Sequence, residues 1–173
     1  MGYHSLACLK SAGRIARHQN LNDLVYRALT KAGFPSVKEP VGLSTRDLKR
    51  PDGLTLVPWQ TGKCLTWDVT VGNTMSYLAK TSVEAGGAAE HLAHLKTGKY
   101  EDLAKTYRFC PIAFETFGPI NELGQSFFQS LGQLLSSTTG DSRETAFLFQ
   151  RVSITIQRFN SVCFRDSFNH ETR

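Results

Sequence analysis

Apolar residues recur at helical spacing through Leu21, Leu24, Val25, Ala28, Leu29 and Ala32, until Gly33 and Pro35 interrupt them. With Asn20 in front as a capping residue, this pattern predicts a first helix starting at Asn20. Ser36 to Glu39 reads as a short strand, and Pro40, Gly42 and the charged run to Arg50 read as a loop. Leu54–Val57 and Cys64–Val71 are apolar and β-branched on either side of Gln60-Thr61-Gly62-Lys63, which predicts a hairpin. From Glu84 to about Lys105 the composition favours a long helix, softened by Gly86, Gly87 and Gly98. Phe109–Glu115, between Arg108 and Gly118-Pro119, predicts a buried fourth strand. Two further helices follow, from Asn121 to about Ser137 and from Arg143 to Arg158, with Asp141 or Ser142 placed to cap the second. Phe127, Phe128, Leu131, Leu134 and Leu135 share one helical face and should be core, with Phe147 or Phe149 on the last helix. The expected class is α/β, an α+β mixed sheet of about four strands flanked by helices.

A chain of 173 residues can bury enough surface to fold as one domain, and 40% hydrophobic with 20% charged residues excludes wholesale disorder. Twenty Lys and Arg against 15 Asp and Glu give a net charge of +5, which favours polyanionic partners. The basic residues concentrate in two stretches: Lys10, Arg14, Arg17, Arg27 and Lys31, then Arg46, Lys49 and Arg50. A solvated basic face explains them equally well. Cys8, Cys64, Cys110 and Cys163 form no CxxC pair and read as reduced thiols. No apolar run resembles a signal peptide or reaches the roughly 18 to 20 residues of a membrane span. The expected location is therefore intracellular, with no membrane partner.

Asp52 and Asp68 give the chain its candidate chemistry. If the hairpin turns at Thr61-Gly62 with a regular ladder, Leu54 lies opposite Asp68 and Asp52 opposite Thr70, so both acids share a face. Two carboxylates on one face can converge on a divalent cation. Taken singly, Pro51-Asp52-Gly53 is also a plain turn and Asp68 a strand-edge acid. Together they are harder to dismiss, because an ionised carboxylate inside Leu65-Thr66-Trp67-Asp68-Val69 needs a partner or a function.

Pro51-Asp52, a spacer of strand-turn-strand length and then Asp68-Val69-Thr70 resemble the PD-(D/E)XK pattern of restriction-like nucleases. Further stretches extend the likeness over nearly the whole chain: Arg17-His18-Gln19-Asn20, Ala32-Gly33, Glu39-Pro40, Lys49 to Gly53, Lys96 to Tyr100, Pro111 to Gly118, and Gln150 to Ser153 with Gln157-Arg158. These are similar to the endonuclease domain that follows the reverse transcriptase in retrotransposon polyproteins. The resemblance implies a restriction-endonuclease-like core over residues 16–173 and a Mg²⁺-dependent endonuclease, Mn²⁺ substituting. It would nick target DNA by phosphodiester hydrolysis and expose a 3′ hydroxyl that primes reverse transcription. Asp52, Asp68 and Glu39 would hold metal. The motif lysine is replaced by Thr70, so a helix lysine would take its role; Lys96 is preferred over Lys99, with Lys80 weaker. Arg46, Lys49, Arg50, Lys99 and Tyr100 would contact DNA. The implied partners are DNA, the reverse transcriptase portion of the parent polyprotein and a second copy of the chain; the implied compartment is the nucleus.

Gly2 to Cys8 resembles the closing half of the zinc knuckle that precedes this domain in such polyproteins, but His4 and Cys8 supply two of four ligands. Residues 1–15 are thus expected to be a loosely ordered remnant that holds no zinc. His91 and His94 read as surface residues, His18 as a helix cap or phosphate contact, and Glu115 as a supporting or packing residue. Two other functions stay open: a nucleic-acid-binding remnant of the same fold without turnover, and an unrelated α/β interaction domain.

Overall fold

The computed structural model describes residues 12–43 and 50–169. Among the described residues, six α-helices flank a four-stranded sheet: α1 (Ala12–Lys31), β1 (Ser36–Lys38), β2 (Gly53–Gln60), β3 (Lys63–Gly72), α2 (Leu78–Thr81), α3 (Gly87–Lys99), α4 (Glu101–Thr106), β4 (Arg108–Glu115), α5 (Glu122–Thr139) and α6 (Glu144–Asn169). The mixed α/β class expected from the pattern is the observed one.

Strand order is β1-β2-β3-β4, antiparallel at the first two junctions and parallel between β3 and β4. The parallel pair requires a crossover, and residues 73–107 supply it with α2, α3 and α4. One face carries the main core, where Trp59, Leu65, Trp67, Val69, Ile112 and Phe114 meet Leu21, Val25 and Leu29 of α1, Phe128, Leu131 and Leu135 of α5, and Leu148, Val152 and Ile156 of α6. Phe149, not Phe147, supplies the expected aromatic of the last helix; it packs near Phe128, while Phe147 is exposed. The second face is covered by α3 through Ala89, Leu92 and Ala93 against Ala113. Small residues there let the helix ride close to the strands.

Helix α1 begins well before Asn20. That residue is mid-helix, its amide donating to Ala16 O at 2.8 Å, so its capping role is corrected. The early turns hold because Gly13 packs against Cys163 of α6, where a Cβ would stand 2.9 Å from the sulfur. Residues 12–15 are helical, while His4 and Cys8 lie outside the described residues. The same extension buries Arg17, whose guanidinium donates to Asn160 Oδ1 at 2.6 Å. Arg17 is thus interior and no part of a basic surface. The predicted long helix breaks at Tyr100, not at its glycines, and α6 runs on to Asn169, past the expected end at Arg158. Asp141 accepts the Arg143 N–H at 2.9 Å ahead of α6.

The hairpin turns at Thr61-Gly62, both with positive φ, as a tight two-residue connection requires. Its register departs from a regular ladder: Pro58 pairs with Cys64, but Leu54 pairs with Thr66 and Gly53 with Trp67. The expected Leu54–Asp68 pairing is corrected by two residues. The cause lies at Thr55, whose hydroxyl accepts the Leu65 N–H at 2.9 Å and donates to Val57 O at 2.8 Å, while Pro58 has no N–H to offer. This slip brings Asp52, one residue before β2, level with Asp68.

Gly53 cannot carry a side chain. A Cβ there would lie 1.9 Å from the indole of Trp67, which is fully buried. Gly53→Ala should therefore destabilise the protein by about 1–3 kcal/mol, the usual cost of overpacking. A urea midpoint lowered for Gly53→Ala but not for Gly98→Ala, an exposed helical position where a Cβ meets nothing and alanine favours the helix, is the expected result.

Candidate active site

Asp52 arrives on a short stretch whose backbone is tied from two sides. Its carbonyl accepts the Glu39 N–H at 2.9 Å and the Asn22 amide at 3.2 Å. Glu39 reaches that position with a φ of 48°, a conformation L-residues seldom adopt. Asn22 also accepts the Trp67 indole N–H at 2.8 Å, joining α1 to both strands of the hairpin. The side chain of Asp52 is fixed through Oδ2, which takes the Val69 N–H at 2.6 Å and His18 Nε2 at 3.0 Å.

Asp68 lies beside it on β3 and is 4% exposed. Its Oδ2 accepts the Tyr100 hydroxyl at 2.7 Å. Lys96 Nζ stands 2.5 Å from Oδ1, so an ammonium meets the second oxygen. Lys96 and Tyr100 are neighbours on one face near the end of α3, so a single helix brings both to the carboxylate. The other end of α3 is held by Glu115, a fully buried acid whose Oε1 accepts the Ala88 and Ala89 N–H groups at 3.1 and 3.4 Å. Glu115 is thus the supporting residue expected.

The structure brings Asp52, Asp68 and Lys96 together, with Tyr100 beneath and His18 at the rim. The Glu39 carboxylate is 61% exposed and pairs with Arg50 at 2.9 Å, so Glu39 reaches Asp52 through its backbone alone. Tyr100 is buried and its hydroxyl is engaged by Asp68, by Arg50 O at 2.9 Å and by Lys99 Nζ at 2.9 Å. Its assignment as a DNA contact is corrected: the ring packs on Phe109 and offers no face to a base. Lys99 and Arg50 remain at the surface. Arg46 and Lys49 lie outside the described residues. His91 sits near the Tyr77 ring, and His94 is exposed.

His18 was assigned from sequence as a cap or phosphate contact because the helix was started too late. With α1 beginning at Ala12, His18 and Asn22 fall one turn apart on the face toward Asp52. The hydrogen bond from His18 to Asp52 holds the imidazole pKa above its ordinary 6.5, against partial burial; the nearby Asp52 and Asp68 charges add to the rise and Lys96 opposes it. Burial and the bond to Asp68 push the Tyr100 phenol far upward, so it stays a proton donor at any ordinary pH.

A raised folded pKa means that His18 contributes stability in full below its unfolded value near 6.5 and loses it as pH rises through the folded value. Urea midpoints of wild type and His18→Gln, measured in EDTA across neutral pH, should therefore converge as pH climbs above about 6.5. A gap that stays constant with pH would contradict the assigned contact.

Among the described residues, no three His, Cys, Asp or Glu side chains converge as a full ligand set, so two acids form the polar centre of the site. Cys64, Cys110 and Cys163 are unpaired, and burial pushes the Cys110 thiol up to about 12, leaving it unreactive. No described helix is long and apolar enough to cross a membrane. The sequence matches no protein-family model, and no curated protein is significantly similar to it.

Proposed function

We propose that this chain is a metal-dependent DNA endonuclease domain of the restriction-like PD-(D/E)XK type, derived from a retrotransposon, that cleaves phosphodiester bonds. One observation carries the proposal: an acid on β3 and one just ahead of β2 meet a lysine delivered by a helix, Lys96 Nζ lying 2.5 Å from Asp68 Oδ1. Lys96 of α3 would thereby take the role of the motif lysine that Thr70 replaces.

The residues fit a small hard cation. Asp68 Oδ1 is buried and meets only the Lys96 ammonium, and Asp52 lies on the neighbouring segment with one oxygen still unpartnered among the described residues. Two carboxylates suit Mg²⁺ or Mn²⁺, which complete their coordination with water and phosphate oxygens. Such a cation, when bound, neutralises charge on the phosphate under attack. Lys96 would then leave Asp68 to orient the attacking water and the developing negative charge. Hydrolysis joins the water oxygen to phosphorus and breaks the bond to O3′, leaving a 3′ hydroxyl and a 5′ phosphate. Arg50 and Lys99, both exposed at the rim, would meet backbone phosphates, contacts that carry little sequence information. A nuclear location, a reverse transcriptase as neighbour and a second copy for double-strand cleavage belong to the same proposal.

A different reading, a DNA-binding remnant without turnover, draws on Thr70 and on the closed Lys96–Asp68 pair. Supercoiled-plasmid nicking with Mg²⁺ separates the two. The endonuclease requires nicking that falls by at least about 100-fold in Asp52→Ala, Asp68→Asn and Lys96→Met. DNA retention without nicking would establish the remnant; neither activity in a folded protein would sink both.

A further inference from the structure

Each carboxylate of the site accepts its hydrogen bonds through one oxygen. Asp52 uses Oδ2 for two N–H donors, Val69 N at 2.6 Å and His18 Nε2 at 3.0 Å. A carboxylate only accepts, so His18 must carry its proton on Nε2. Asp68 uses Oδ2 for the Tyr100 hydroxyl at 2.7 Å, and Tyr100 stays protonated and immobile, 1% exposed and packed on Phe109. Among the described residues Asp52 Oδ1 accepts no hydrogen bond, and Asp68 Oδ1 meets only the Lys96 ammonium at 2.5 Å, the group that has to withdraw for a cation to take its place. Rotation that would present both oxygens of either acid to one ion breaks a short, charge-assisted bond.

We infer that His18 and Tyr100 are positioning residues that restrict Asp52 and Asp68 to one metal-facing oxygen each and so set the site's preference for small octahedral cations over Ca²⁺. This rests on the nuclease reading of the site and goes beyond it, to the choice of ion. Mg²⁺ and Mn²⁺ accept few protein oxygens in a strict octahedron, whereas Ca²⁺ takes six to eight, often with both oxygens of a carboxylate. Freeing either acid to turn supplies the extra oxygen that Ca²⁺ uses. The two residues sit on different elements, His18 on α1 and Tyr100 at the end of α3, so each can be removed alone.

The test measures binding, not turnover. Mn²⁺ affinity of the whole protein is read from the free-ion electron paramagnetic resonance signal, and Ca²⁺ affinity by displacement of Mn²⁺, with circular dichroism confirming the fold of each variant. Wild type should hold Mn²⁺ well above Ca²⁺, with binding lost in Asp52→Ala. His18→Ala and Tyr100→Phe should each reduce the Mn²⁺-to-Ca²⁺ preference about tenfold or more, the size expected when an outer hydrogen-bond partner of a ligand is removed. His18→Gln, whose amide can donate from nearly the same place, should restore it. A merely structural role would weaken both ions alike. The clamp is refuted if wild type binds Mn²⁺ but neither substitution alters the ratio; if His18→Ala does not fold, Tyr100→Phe alone decides. If wild type binds no Mn²⁺ that Asp52→Ala abolishes, the nuclease reading itself fails, independently of the clamp.

Discussion

The seating of the Trp67 indole governs the rest of this site. The ring fills the space that a side chain at Gly53 would need, and its N–H is spent on Asn22. Asn22 in turn holds the carbonyl of Asp52. One buried aromatic therefore fixes the distance between β2 and β3, docks α1 on the hairpin and sets the height at which Asp52 emerges. An indole in a core must find an acceptor for its N–H, and here that acceptor is the residue that also orients the segment carrying Asp52. Packing and chemistry are joined at a single amide.

The electrostatics of the cluster follow from its limited exposure. Asp68 is nearly enclosed, and two neighbours meet its charge: an ammonium on one oxygen and a phenol on the other. Ion pairs of this kind recover much of what desolvation costs only when the remaining lone pairs are also satisfied. Here each oxygen of Asp68 has one close partner, and a ligand that reaches Oδ1 has to displace the ammonium.

Much of this was legible in the sequence. Helix and strand types followed from periodicity, the Thr61-Gly62 turn from residues that tolerate positive φ, and the Asp52–Asp68–Lys96 grouping from a motif likeness joined to the absence of lysine at Thr70. What escaped has physical reasons. The ladder slip depends on a Thr55 hydroxyl entering the hairpin, a choice that apolar alternation does not encode. The early start of α1 depends on Gly13 meeting Cys163, a contact across most of the chain. From that single missed boundary came both the late recognition of His18 and the placing of buried Arg17 on the surface. Tyr100 reads as a DNA contact only through the likeness of the Lys96–Tyr100 stretch; its burial comes from the helix break at its own position.

Helix α3 has an acid at each end. Glu115 receives its first N–H groups, and Asp68 receives the lysine and tyrosine of its final turns. Thirteen residues at about 1.5 Å each make a strut of roughly 20 Å. Its floor is Ala89, Leu92 and Ala93 against Ala113, with Leu92 seated over Gly72, where a Cβ would stand 2.4 Å from it. The strut is thus keyed along its length as well as held at its tips. Mechanically, the ammonium that meets Asp68 sits on the end of a rod whose anchor lies at the far end of the same sheet face.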